Sequence, residues 1–201
     1  MRVLYLHQPR TPGKEAPLYG LLKTGGNQVK AMFTQFTEML VVGVEDWDPD
    51  ITVSFNYHYR VPKEVLALCP AVNLHISYLP WNRGCHPNFW AAWDGTQNGV
   101  AVHYMDEGFD TGPIIARRKI RLEMEDTLRT SHRKLEQEVI ELFKEVWPRI
   151  KDGTAPRHNC TEPGSYHGER EIEQFFPLLP YGWSTNIWYV RRLGQEHQHG
   201  V

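Results

Sequence analysis

Apolar residues fall first into short unbroken runs. Residues 1–6 read MRVLYL, Ile51–Phe55 reads ITVSF, residues 71–76 read AVNLHI and residues 100–105 read VAVHYM. Runs of this length and β-branched content mark strands. Between them the pattern lengthens. Pro62 opens a short helix through Leu66 that Pro70 must end, and His86-Pro87 starts another that Gly95 stops. The longest periodic stretch begins near Asp126-Thr127, where Leu128, His132, Leu135, Val139, Leu142, Phe143 and Val146 recur at steps of three and four until Pro148 closes the helix. A further helix is expected within residues 20–36, interrupted by Gly25 and Gly26. Strands alternating with helices predict an α/β domain on a mostly parallel sheet, with ligands at loops beyond the carboxyl ends of the strands. From about Gly153 the pattern breaks. Pro156, Pro163, Gly164, Pro177, Pro180 and Gly182 punctuate an aromatic tail, so residues 1–152 are expected to form the core and residues 153–201 an irregular appendage with one hairpin at most.

Composition narrows the functional classes. The 201 residues are 41% hydrophobic and 23% charged, which suits one globular domain rather than a disordered chain. A formal charge of −2 gives no broad attraction for nucleic acid or an anionic membrane, so any anionic ligand must be gripped locally. Three cysteines without C-x-x-C spacing argue against a disulfide framework and a cysteine-rich zinc site. The opening run is too short for a signal peptide and no membrane-length apolar stretch occurs, so the expected compartment is the cytoplasm. The ten histidines are scattered, and the His197-x-His199 pair lies in a polar tail expected to fray, so no metal is expected.

Candidate chemistry lies on one strand and one turn. Asn73 and His75 are two positions apart on a predicted strand and therefore project from one face near its end. Asp110 sits in the turn D-E-G-F-D-T-G that follows the next strand and could fold back over that end. Acyl transfer to an amine needs a donor for the developing oxyanion, an acceptor for the amine's proton, and a group that orients or charges that acceptor. Amide, imidazole and carboxylate fill these roles, and an imidazole gains and loses protons near neutral pH. The same residue types also serve as hydrogen-bonded structural groups, and spacing alone leaves both readings open.

The strings NLHISYLPWNRG, PNFWAAWDG and GVAVHYMDEGFDTGPII together resemble the 10-formyltetrahydrofolate-dependent formyltransferase core, and are most similar to the sugar N-formyltransferases. The resemblance implies a Rossmann-like formyltransferase core with a shortened N-terminal part, because fewer residues precede Pro49-Asp50-Ile51 than the family usually carries, and part of the folate-side wall is expected to be missing. It implies that Asn73 hydrogen-bonds the formyl oxygen, that His75 moves the amine's proton, and that Asp110 orients the histidine and assists departure of the folate nitrogen, with no metal involved. By the same resemblance Phe55, Tyr57, Met105 and Asp106 face the folate. Trp81, Asn82, Arg83, Asn88, Tyr166 and His167 face a nucleotide-linked amino sugar, with a thymidine-diphosphate 4-amino-4,6-dideoxyhexose as the expected acceptor. Trp90 and Trp93, at helical spacing among apolar neighbours, are expected in the core. A hydrolase that releases formate from 10-formyltetrahydrofolate, and a silent folate- or nucleotide-binding module, remain as alternatives. The partners expected are small molecules rather than nucleic acid or membrane, and assembly as a homodimer is left open.

Overall fold

The computed structural model describes residues 1–8 and 17–199. Strand β1 (Arg2–Leu6) is followed by helix α1 (Tyr19–Lys23), β2 (Gln28–Met32), α2 (Thr37–Trp47), β3 (Ile51–Phe55), α3 (Lys63–Leu68) and β4 (Ala71–His75). A two-residue strand β5 (Arg83–Gly84) leads to α4 (Pro87–Trp93), and then come β6 (Gly99–Tyr104), β7 (Ile114–Lys119) and the long α5 (Leu128–Lys151). The last segment holds β8 (Tyr166–His167), three short 3-10 turns and α6 (Ile187–His199). Six strands make one sheet in the order β2-β1-β3-β4-β6-β7, in which β1 pairs in parallel with β2 and β3, and β3 in parallel with β4. Every residue of β3 and β6 is buried, as strands must be when helices cover a parallel sheet.

One expectation for the first fifty residues needs correction. The helix expected within residues 20–36 stops at Lys23, because Gly25 and Gly26 take φ of 74° and 78°, and the chain re-enters the sheet as β2. The N-terminal part is built compactly from β1, α1, β2, α2 and β3, with five-residue strands and a five-residue α1.

The chain clusters into two compact units, Met1–Leu74 with His103–Pro113, and His75–Val102 with Ile114 onward. In the first, Leu4, Leu6, Leu40, Val44, Val61 and Val65 form a buried cluster, with Met105 and Tyr57 packed against it. In the second, Phe89, Trp90 and Trp93 of α4 pack with Leu128, Ile172, Ile187 and Val190, so the two tryptophans lie in the core as expected. Helix α5 starts at a capping box between Thr127 and Thr130. It does not close at Pro148 but continues to Lys151, since a proline in the penultimate turn forfeits only its own hydrogen bond. Its buried stripe carries Ser131 and Trp147 in place of His132 and Val146.

Residues 153–199 are less irregular than expected and cluster with the second unit. β8 pairs in parallel with β5 rather than forming a hairpin. Gly84 makes that pairing possible, because its φ is +87° and a Cβ there would strike the His167 carbonyl and the Tyr166 ring. The expected frayed tail is α6, capped by the Asn186 side chain, which accepts from the Trp188 and Tyr189 backbone N–H groups. Gly194 lies directly against the Trp93 carbonyl of α4, where any side chain would collide. No helix among the described residues is long and apolar enough to cross a membrane.

Candidate active site

In the first unit, Asn73 on β4 and His103 on β6 meet Asp110. The Asn73 amide Nδ2 donates to Asp110 Oδ1 at 3.0 Å, and His103 Nε2 lies 3.2 Å from the same oxygen and 3.3 Å from Asn73 Nδ2. Asp110 adopts φ +54°, a conformation short polar residues tolerate better than most. His103, only 2% exposed, escapes sequence reading, because one histidine in an apolar strand reads as packing. Its register, two positions before Met105 in VAVHYM, is the signal that could have marked it. His103 Nδ1 lies 2.7 Å from the Tyr104 carbonyl, which can only accept, so Nδ1 carries a hydrogen. Nε2 then has two roles. In the neutral ring it accepts from Asn73, and in the cation it donates to Asp110, releasing the Asn73 N–H for another acceptor.

In the second unit His75, 7% exposed, places Nε2 3.0 Å from the Asn82 carbonyl. Asn82 itself is fully buried with φ +57°. Its expected sugar contact does not fit this burial, because its amide donates to Thr96 Oγ1 and accepts from Ser165 Oγ. Asn88 is likewise spent inside the protein, donating to the Leu128 carbonyl and accepting from Ser131, and so clamps α4 to α5. Trp81 is half-buried, with its carbonyl taken by the Ser77 hydroxyl. Arg83, also half-buried, donates through Nε to the Ser165 carbonyl at 3.3 Å.

Tyr166 is exposed, whereas the His167 ring stacks on Trp90 at 4.0 Å and 7°. Its Nε2 and Nδ1 lie 3.0 Å from Asp94 and 3.2 Å from Glu171. Burial alone would lower the pKa of this imidazole, but the hydrogen bonds and charges of Asp94 and Glu171 outweigh it and raise the pKa. A raised histidine pKa means stabilisation that is full below the unfolded value and is lost as pH climbs through the folded one. His167→Phe, which keeps a ring over Trp90 without the charge, should therefore melt about 2–4 °C below wild type near pH 6. Thermal melts should show that gap closing by about pH 9, and a pH-independent gap would remove charge from the explanation.

The expected folate-facing residues divide. Phe55 is buried in β3 and offers no open side chain, whereas Met105 is half-buried against the first unit's core. The Tyr57 hydroxyl donates to the Thr34 carbonyl, and burial, then the neighbouring Tyr59, push its pKa up to about 12, so it stays a donor. Asp106 folds the loop on itself, accepting from Gly108 N and Thr111 Oγ1. Open ring surface comes instead from Phe33 and Phe109, 46% and 48% exposed, with the Arg60 guanidinium over Phe109. Among the described residues no group of three or more His, Cys, Asp or Glu is placed to hold a metal ion.

Comparison with known proteins adds a family-level likeness. A family model described as formyl transferase matches residues 21–147. The formyltransferase PseJ from Anoxybacillus kamchatkensis, crystallised with UDP-4,6-dideoxy-4-formamido-L-AltNAc and tetrahydrofolate, is 31% identical, with a TM-score of 0.81 over 94% of this chain and 97% of its own. The Rv3404c protein of Mycobacterium tuberculosis, whose own sugar N-formyltransferase assignment is provisional, is 25% identical, with a TM-score of 0.77 over 95% of this chain and 85% of its own. HypX from Aquifex aeolicus, in complex with tetrahydrofolic acid, shares the fold at 20% identity and a TM-score of 0.77, over 96% of this chain and 34% of its own.

Proposed function

Since the chain belongs to the formyl transferase family, matched over residues 21–147, we propose that it moves a formyl group from 10-formyltetrahydrofolate to the amine of a nucleotide-linked 4-amino-4,6-dideoxyhexose in the cytoplasm. The observation that carries this reading is the likeness to PseJ along 94% of the chain. The ligands crystallised with PseJ, a formamido sugar nucleotide and tetrahydrofolate, are the pair such a transfer leaves behind.

The residues present fit a folate. Phe33 and Phe109 are exposed rings suited to a flat bicycle, and the 105–110 backbone, rather than the buried Phe55 side chain, is the contact expected there. When bound, 10-formyltetrahydrofolate supplies the formyl carbon. Asn73 is proposed to donate an N–H to the formyl oxygen as negative charge develops there. His75 accepts the proton of the attacking amine. Asp110 holds Asn73 and His103, and its charge favours transfer of the proton taken up by His75 onto the departing nitrogen. This chemistry needs a neutral amine, a positioned base and a donor, and no metal.

For the acceptor, the paired strands β5 and β8 bring the half-buried Arg83 together with the exposed Tyr166, and Trp81 and His167, both half-buried, complete the proposed set. The SYLPWNRG string favours a thymidine diphosphate, while the likeness to PseJ favours uridine. Offering both sugar nucleotides and comparing kcat/KM decides between them. With Nε held by Ser165, the two terminal nitrogens of Arg83 are proposed to grip the diphosphate. Arg83→Ala should raise KM for the sugar nucleotide about tenfold or more and change kcat far less, as loss of uniform binding does. An unchanged KM would take Arg83 out of the sugar-nucleotide site.

A further inference from the structure

The side chain of His167 crosses between three pieces of the second unit. Its ring stacks on Trp90 of α4 at 4.0 Å and 7°, and its Nε2 lies 3.0 Å from Asp94, the residue that ends α4. Its Nδ1 lies 3.2 Å from Glu171 in the 3-10 turn Glu169–Gln174 that follows β8. A carboxylate only accepts, so both bonds form together only when both ring nitrogens carry a hydrogen, which makes the ring a cation. The face of an indole suits a cation. Glu171 is anchored in turn, because its Oε1 accepts from Gly168 N at 2.7 Å while Oε2 faces the ring.

The backbone that this ring holds also carries the acceptor contacts. In the β5–β8 ladder His167 sits opposite Gly84, and Tyr166 opposite Arg83. The His167 carbonyl accepts from Cys85 N at 2.9 Å, and the Ser165 carbonyl accepts from Arg83 N at 3.0 Å and Arg83 Nε at 3.3 Å. A ladder of two-residue strands is too short to hold its place alone. We propose that His167 is a positioning residue for the acceptor, a cationic crosspiece between Asp94 and Glu171 that fixes β8 against α4 and thereby sets Arg83 and Tyr166 for the sugar nucleotide. The proposal rests on the reading of Arg83 as the grip on the diphosphate. It makes acceptor binding depend on pH. Asp94 faces the ring from α4, and Glu171 from a turn that also carries Glu169, Arg170 and Glu173. β5 brings Arg83 and Cys85 alongside, and Arg191 of α6 holds the Gly95 carbonyl next to Asp94. Burial opposes the charge on the ring, but Asp94 and Glu171 outweigh it and raise the pKa. The crosspiece is therefore complete at low pH, and one arm opens as pH climbs through the folded value.

The test is KM for the sugar nucleotide in the full chain, taken as the ratio of variant to wild type across pH, so that titration of the sugar amine and of the catalytic groups cancels. His167→Phe keeps a ring over Trp90 without the charge. Its ratio should be about tenfold near pH 6 and approach one by about pH 9, while kcat and KM for 10-formyltetrahydrofolate change far less. Asp94→Asn should raise KM for the sugar nucleotide about threefold or more near pH 6, and should move the pH at which KM climbs downward. It takes away a negative charge, so a His167 that gripped the diphosphate directly would lower KM instead. Asp94→Asn also serves if His167→Phe does not fold. A His167→Phe ratio that stays near one, or stays equally raised at every pH, overturns the proposal, and so does an unchanged or lowered KM in Asp94→Asn. An Arg83→Ala enzyme with the wild-type KM would instead overturn the reading on which it rests.

Discussion

Asp110→Ala is expected to cut kcat by about a hundredfold or more while leaving the protein folded, the scale for losing a positioned acid–base or oxyanion group. The reason lies in what one oxygen does. Oδ1 takes the Asn73 N–H and faces His103 Nε2, so the carboxylate both orients the amide and determines which hydrogen bonds the two side chains can make. Removing it strips Asn73 of its acceptor and takes away the negative charge facing His103, the charge proposed to assist departure of the folate nitrogen. Asn73→Ala should cost as much by removing the donor itself. Asp110→Asn is the sharper variant, because it keeps the shape and deletes the charge, and it should remain closer to Asp110→Ala than to wild type. Steady-state kinetics, with circular dichroism as the control for folding, check each variant. A wild-type rate in any of them removes that residue from the mechanism.

The largest effect on stability should come from Trp90→Ala, expected to cost about 3–5 kcal/mol. Trp90 is 3% exposed and touches three rings of the second unit. It stacks on His167 at 4.0 Å and meets Phe89 and Phe175 edge-on at 4.9 Å and 5.6 Å. Truncation leaves a cavity between α4 and the segment that carries β8, and packed neighbours collapse into such a space only in part. Equilibrium denaturation should show a lower midpoint at an unchanged slope. A loss under about 1 kcal/mol would mean that the ring stack contributes little to this core.

Legibility in the sequence followed burial on both faces. β3, β4 and β6 are apolar runs that read as strands, and α3 and α4 are bracketed by prolines and glycine, so their places and types were readable. β2 was not, because QVKAM sits at the edge of the sheet with no residue buried, and its pattern resembles the helix beside it. Helix α6 hid behind proline punctuation, although Ile187, Val190 and Gly194 already keep helical spacing after the Asn186 cap. Asn73 and Asp110 stood out as candidates through a resemblance, and the structure brings them together and adds His103. Asn82 and Asn88 read as ligand contacts since polar residues in a motif suggest binding. Only three-dimensional contacts show their amides satisfied internally by Thr96, Ser165, Leu128 and Ser131. No local pattern could announce Ser165, whose partner Asn82 lies 83 residues away.

The most direct measurement of the account follows tetrahydrofolate release by purified protein given 10-formyltetrahydrofolate, with and without a pyrimidine-nucleotide 4-amino-4,6-dideoxyhexose, while mass spectrometry follows the sugar. The account predicts release only when the amino sugar is present, one formamide formed for each folate released, and loss of both in Asp110→Ala. Release that proceeds equally without the sugar, or an amino sugar recovered unchanged while methionyl-tRNA or glycinamide ribonucleotide is formylated, would contradict it.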